Sequence, residues 1–244
     1  MTKKNYSYIG ISFIILVFGI IFIPKIIDRI QNKSITENDR LNVKSEDENQ
    51  SDLVFLEINN ERKKVPNFSF TNQDGKTITN KDYLGKVYVI EFFFTTCPTI
   101  CPRMNRNLVK IQNEFQEFEN FGVASFTINP DFDTQEVLKA YAETYGITNP
   151  NWHLMTGNQE TIYKLANEGF NLYTAEDKDV EGGFEHSGNF ALIDKNGYIR
   201  SRMVNGNPLI FYNGIISEEE KVDDEGINEE ISILKEDIAK LLKE

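Results

Sequence analysis

The chain has 244 residues, with 38 Asp and Glu against 26 Lys and Arg, a formal net charge of −12. That surplus excludes a phosphate-backbone binder, which needs clustered cations, so no nucleic-acid partner is expected. With 40% hydrophobic residues and only two cysteines, the domain must be held by an apolar core and not by a disulfide scaffold.

The first predicted element is apolar. Asn5 to Pro24 carries no charge, and as a helix it spans about 30 Å, enough to cross a bilayer. Tyr6 and Tyr8 suit one interface, and Lys25 and Arg29 the other. Residues 1–30 are read as an uncleaved membrane anchor, because no small-x-small cleavage site follows the apolar core and no cysteine is there to take a lipid. Such a segment is the usual export signal, so the remainder is expected on the extracytoplasmic, periplasmic side. Residues 31–52 are polar and charged and cannot bury enough surface to order themselves; they read as a linker. Residues 53–244 form the folded domain.

Within that domain, Leu53–Ile58 reads as a short strand, and Val65–Thr79 as two β-prone pieces about an Asp74-Gly75 turn. Lys86–Phe94, KVYVIEFFF, is dense in β-branched and aromatic residues and reads as a central strand buried on both faces. A helix is expected over 105–122, with Leu108, Ile111, Phe115 and Phe118 on one face and Gly122 ending it. A strand follows at Val123–Pro130. The helix of 133–146 takes Asp133 as its cap, Glu136 as the partner in a capping box and Gly146 as its stop.

Trp152–Gly157 is a short strand or loop, and Asn158–Phe170 a helix with Ile162, Leu165 and Ala166 inward. His186–Val204 is a hairpin about Lys195-Asn196-Gly197. The terminal helix, 228–243, lines up Ile231, Leu234, Ile238 and Leu241. The alternation predicts an α/β fold, a thioredoxin-like sandwich with a central mixed β-sheet flanked by helices and right-handed crossovers, preceded by the N-terminal transmembrane helix.

Both cysteines fall in FFFTTCPTICPRM, between the first central strand and its helix. A structural disulfide, a thiol redox pair and a metal clamp all compete for them. Unpaired backbone N–H groups at a helix N-terminus stabilise thiolate. Pro102 is tolerated only in a first turn, so the helix should start close to Cys101 and leave Cys97 on the loop before it. On a regular helix, positions i and i+4 hold Cβ atoms about 5–6 Å apart, wide for a disulfide. Two thiolates at such a spacing suit a soft ion, Cu(I) or zinc.

A third ligand would come from histidine, and the chain has two. His186, in GGFEHSGNFALID, precedes a strand on the loop that faces the cysteine helix in such a fold. His153 has no comparable setting and reads as an ordinary, partly exposed histidine. Asp131 and Asp133 read as helix-start residues, Met104 and Met203 as packing, and the acidic runs near 175–183 and 217–226 as surface.

Four segments together carry a resemblance. FFFTTCPTICPRM, TINPDFDTQEVLKAYAETYG, NWHLMTG and FEHSGNFALIDKNGYIR occur in this order over roughly Val65 to Met203. They resemble the Sco/SenC family, with its Cys-Pro-x-x-Cys-Pro signature. The resemblance implies a membrane-tethered, copper-binding protein of thioredoxin fold that takes part in assembling the binuclear copper centre of cytochrome c oxidase. By matching position, Cys97, Cys101 and His186 would be the copper ligands, suited to Cu(I) and able to hold Cu(II). The partner implied is the copper-receiving subunit of that oxidase or a similar cuproprotein. One departure is Asn129-Pro130 where the family has Asp-Pro.

The competing function is a thiol–disulfide oxidoreductase, with Cys97 as nucleophile and Cys101 as resolving thiol. Redox enzymes of this fold usually carry a proline opposite the cysteines. None lies between Phe184 and Asn189, which favours the metal. A peroxidase finds only Arg103 in its support. The expectation is a metallochaperone, with thiol–disulfide reductase activity left open.

Overall fold

The structure, a computed structural model, describes Leu16, Phe18, Ile23 and residues 53–244 other than Lys178 and Glu181. The chain divides into two compact units, Met1–Asn42 and Val43–Glu244. The anchor expected over 1–30 lies outside the described residues but for three helical positions, and the linker over 31–52 lies outside them entirely. Among the described residues no helix is long and apolar enough to cross a membrane.

In the second unit the strands are β1 (Leu53–Phe55), β2 (Glu57–Ile58), β3 (Glu61–Arg62), β4 (Ser69–Asn72), β5 (Thr77–Thr79), β6 (Val87–Phe93), β7 (Phe121–Thr127), β8 (Trp152–Thr156), β9 (Thr174–Glu176), β10 (Phe184–His186), β11 (Asn189–Ile193), β12 (Ile199–Val204), β13 (Asn207–Pro208) and β14 (Tyr212–Asn213). The helices are α1 (Cys101–Glu114), α2 (Gln135–Tyr145), α3 (Gln159–Lys164) and α4 (Ile231–Lys243). Leu165–Phe170 continues α3 as a π-helical turn.

The main sheet runs β1-β12-β11-β6-β7-β8-β4-β5. Strands β6, β7 and β8 are parallel, and β11 and β4 flank them antiparallel, so the expected central mixed sheet is present. Every residue of β6 and β7 is buried, because both faces are covered. Phe93 meets Tyr141 of α2 at 5.5 Å between centroids. On the other face, Phe92 meets Phe170 at 6.1 Å and Phe126 at 5.4 Å. The hairpin turn carries Gly75 at φ +74°, and Gly146 at φ +71° closes α2, both as the residue types anticipate. Ile231, Leu234, Ile238 and Leu241 of α4 are all buried.

Four expectations need correction. Helix α1 begins at Cys101 and ends at Glu114, short of 122. Phe115, Phe118 and Phe121 keep a helix-like spacing through successive tight turns, with Phe118 N–H bonded to Phe115 O and Phe121 N–H to Phe118 O. Phe118 is therefore exposed, and Gly122 belongs to β7, where a Cβ would lie 2.8 Å from Asn151 O. Helix α2 is capped by Thr134, whose Oγ1 accepts from Val137 N–H, because Asp133 is fully buried and engaged elsewhere. Met203 is exposed, on the end of β12 that pairs only with the two-residue β13. The acidic segment of 175–183 lies at the surface as expected, in the β9–β10 hairpin and its loop. Finally, Glu218, Glu219 and Glu220 are not merely solvated; each holds a cation.

Candidate metal centre

Strand β6 delivers the cysteine loop at its carboxyl end. The loop is anchored from below by β7 and its successor. Thr95 N–H donates to Asp133 Oδ2 at 3.1 Å, and the Thr95 and Thr127 hydroxyls both donate to the same carboxylate. Ile128 N–H reaches back to Phe93 O at 2.8 Å, and Cys97 N–H to Phe94 O at 3.2 Å. Ile100 then opens α1, with Pro102 in the first turn where its missing N–H costs nothing. Cys97 sits before the helix and Cys101 is its first residue, as the sequence predicts.

His186 arrives at the end of β10, on a strand and not on a loop. Its strand is held by β9, where His186 pairs with Thr174. Asn167 fixes Thr174 from the π-helical turn by accepting its N–H and donating to its carbonyl, both at 3.0 Å. Phe94 stands edge-on to the imidazole at 5.9 Å and touches Phe184 at 5.3 Å. The β9–β10 loop closes over the cysteines. Gly182, at φ +90°, approaches so near that a Cβ would lie 3.0 Å from Pro98.

These three elements bring the two sulfurs and one imidazole nitrogen within 4.8 Å of one another. Cys101 Sγ is 3.0 Å from His186 Nε2, across 85 residues of sequence. Cys97 Sγ accepts from Cys101 N–H at 3.5 Å and lies 3.8 Å from Thr99 Oγ1. Both cysteines are free thiols. Cys101 is wholly buried, and Cys97 and His186 nearly so. A cleft of about 220 Å³ opens onto Cys97, His186, Thr99 and Glu185.

The two thiols are made unequal. Cys97 is pulled down to about 3, first by the Cys101 thiol that hydrogen-bonds to it, with help from His186 and from the Cys101 and Thr99 N–H groups, against the opposing effect of burial. Cys101 is pushed far up by its burial and then by the neighbouring Cys97 sulfur. Cys97 is thus the thiolate and Cys101 the proton holder. Two thiolate sulfurs and one imidazole form a soft donor set, and the spacing suits one ion with an open side toward the cleft.

His153 is half-buried in β8, bonded through Nδ1 to Asn72 at 3.2 Å and edge-on to Tyr83, and joins no metal-ligand cluster among the described residues. Asp133 holds the cysteine loop without contributing a ligand atom, and Met104 is wholly buried packing. Sequence reasoning missed that role of Asp133. The one signal was a Thr at each of the positions it binds, Thr95 and Thr127.

A family model for SCO1/SenC matches residues 57–212. The chain belongs to the SCO1/SenC family. A SCO1 protein homologue of Bacillus subtilis is 32% identical over 157 residues, covering 63% of this chain and 80% of that protein. A SCO1/SenC family lipoprotein of Bacillus anthracis superposes with a TM-score of 0.60 at 32% identity, over 73% of this chain and 94% of that one. BsSco, described as having a disulfide switch and as a member of the Sco family of cytochrome c oxidase assembly proteins, superposes with a TM-score of 0.58 at 25% identity, over 74% and 94% of the two chains. The SCO1/SenC match spans the cysteine loop, the β9–β10 hairpin and β11 together, which are the segments that build the cluster.

Proposed function

We propose that this SCO1/SenC protein is a membrane-tethered copper chaperone. It holds one copper ion through Cys97, Cys101 and His186 and delivers it to the binuclear copper centre of cytochrome c oxidase, on the extracytoplasmic side of the membrane. The observation that carries this reading is the convergence of two sulfurs and Nε2 of His186 within 4.8 Å. Such a set favours Cu(I) over harder ions. Loading requires Cys101 to give up the proton it holds beside the Cys97 thiolate, which makes binding pH-dependent. With three protein ligands and a cleft on one side, an incoming thiolate can attack the metal, and copper passes by ligand exchange. The tether proposed is the apolar helix of residues 1–30, since both cysteines of this sequence are committed to the site.

Titrating the reduced protein with Cu(I) under a competing chelator tests the site. It should take up about one equivalent per chain, with affinity falling at least about tenfold in His186→Ala. Unchanged affinity in that variant would leave the three-ligand site without support. Copper retained by Cys97→Ser or Cys101→Ser would place the site elsewhere.

A second reading has its own observation. A Cys97 thiolate beside a protonated, buried Cys101 is the arrangement of an attacking and a resolving thiol. The protein would then reduce the cysteines of a copper-receiving or other exported protein. A mixed disulfide trapped through Cys97 in Cys101→Ser would favour it.

A further inference from the structure

Helix α1 has a second face. Met104, Leu108 and Ile111 are buried in the core. Arg103, Arg106 and Lys110 lie at i, i+3 and i+7 and form one outward stripe that starts two residues after Cys101. The stripe walls a groove of about 560 Å³ whose other lining includes Tyr145, Ile215 and Glu220.

The chain itself shows what the stripe recognises. Its acidic segment after β14 lays Glu220 on Arg103, with both carboxylate oxygens at 2.9 Å, and Glu219 on Lys110 at 2.5 Å. Arg106 has no carboxylate partner among the described residues; its Nε donates to Pro102 O at 2.8 Å. Two of the three cations are thus covered by solvent-exposed pairs that a competing carboxylate can reach, and one is open.

We infer that this groove docks an extended acidic segment of the protein that receives the metal, which takes Arg106 first and then displaces Glu219 and Glu220. In naming the recipient, the inference rests on the function proposed above. Charge complementarity decides the chemistry and the place. An acidic partner is repelled by most of a surface this anionic, and of its cationic patches the α1 stripe is the one that adjoins a metal-site cysteine, unlike Arg62, Lys63 and Lys64 at β3. The groove is concave and already accommodates glutamates, which fits a peptide better than a flat lipid surface. Glu219 and Glu220 act as internal competitors that keep the stripe from binding small anions indiscriminately.

The test uses the full chain, reduced and metal-free, and a fluorescent hexaglutamate peptide followed by anisotropy. Binding should be measurable at low salt and weaken strongly as salt is raised. Arg106→Glu should weaken it at least about tenfold, and the double variant Glu219→Gln/Glu220→Gln should tighten it several-fold. Lys164→Glu, an exposed cation on α3 that does not line the groove, should leave it unchanged. No binding at low salt, equal binding in Arg106→Glu, or equal loss in Lys164→Glu overturns the inference. So does binding to anionic vesicles, but not to the peptide, that Arg106→Glu abolishes, or self-association of the chain through this face. Arg106→Glu should keep wild-type Cu(I) affinity. If the chain binds the peptide as described but no variant of it holds copper, the docking groove stands and the copper reading fails.

Discussion

Asp133 and Thr95, 38 residues apart, are joined by two hydrogen bonds, one from the Thr95 N–H at 3.1 Å and one from its hydroxyl. Thr127 adds a third to the same carboxylate. A buried carboxylate in the connection from β7 to α2 therefore sets the exit of the cysteine loop from β6. Burial raises its pKa and the three donors oppose that rise.

Replacing Asp133 by Ala should leave two threonine hydroxyls and one N–H without their acceptor. The expected cost is about 1–3 kcal/mol per buried group left unpaired, read as a lower denaturation midpoint. Asp133→Asn, which keeps one acceptor, should lose less. Cu(I) affinity should fall in the same order as the loop loosens, although Asp133 touches no ligand atom. Wild-type affinity in a destabilised Asp133→Ala would separate the loop's anchoring from the site.

Glu91, on β6, is wholly buried; its Oε1 accepts from Ser125 at 2.6 Å and its Oε2 has no partner among the described residues. Burial pushes it up to about 7, against the Ser125 hydrogen bond that lowers it. A carboxyl whose folded pKa is raised from 4.5 to about 7 binds more protons folded than unfolded between those values. Stability from this group is therefore full below about pH 4.5 and declines by about 3 kcal/mol as pH rises through about 7. Glu91→Gln should be more stable than the parent at pH 8 and should flatten that slope. An identical urea-midpoint profile from about pH 5 to 8 in both proteins would contradict the assignment.

The thiols should titrate far apart. In the reduced, metal-free protein, iodoacetamide at about pH 5 should modify Cys97 and spare Cys101, because the first is a thiolate and the second keeps its proton. Mass mapping of the labelled residue checks this. In the unfolded chain at the same pH neither should react. His186→Ala should move the lower limb of the Cys97 labelling-versus-pH profile to higher pH, since the imidazole is among the groups that lower its pKa, after the Cys101 thiol.

Gly182 should tolerate no side chain. At φ +90° an L-residue is strained, and a Cβ there would press on Pro98 and Phe94 at 3.0 and 3.1 Å. Gly182→Val should lift the β9–β10 loop from the cysteine loop, with faster hydrogen exchange at Phe184–His186 and weaker Cu(I) binding. Gly183 has the same sign of φ but open space around it, so Gly183→Asn should be much milder.

How far the sequence reached can be judged at particular residues. The apolar run of β6 was legible because a strand covered on both faces has no reason to alternate, and every residue of it is buried. The terminal helix was legible from its stripe, and the α2 stop from Gly146. The overrun of α1 to Gly122 arose because three phenylalanines at a spacing of three mimic a helical face while closing a turn. Asp133 was read as a cap because Asp ahead of a helix usually is one; only the packing of β7 under the cysteine loop redirected its carboxylate inward.

For the candidate site, the sequence determined which donors are on offer. A chain with two cysteines four apart at a helix mouth and only two histidines leaves a short set of possible ligands, and the motif order picked His186 from them. Distance was decided by the tertiary structure. Spacing along a chain fixes neighbours within one element, but His186 reaches Cys101 only because the short β9–β10 hairpin, pinned by Asn167 and seated on Pro98, folds back over α1. The inequality of the thiols was likewise decided there, since it comes from burial and from which sulfur receives the N–H groups, and neither is written in the order of the residues.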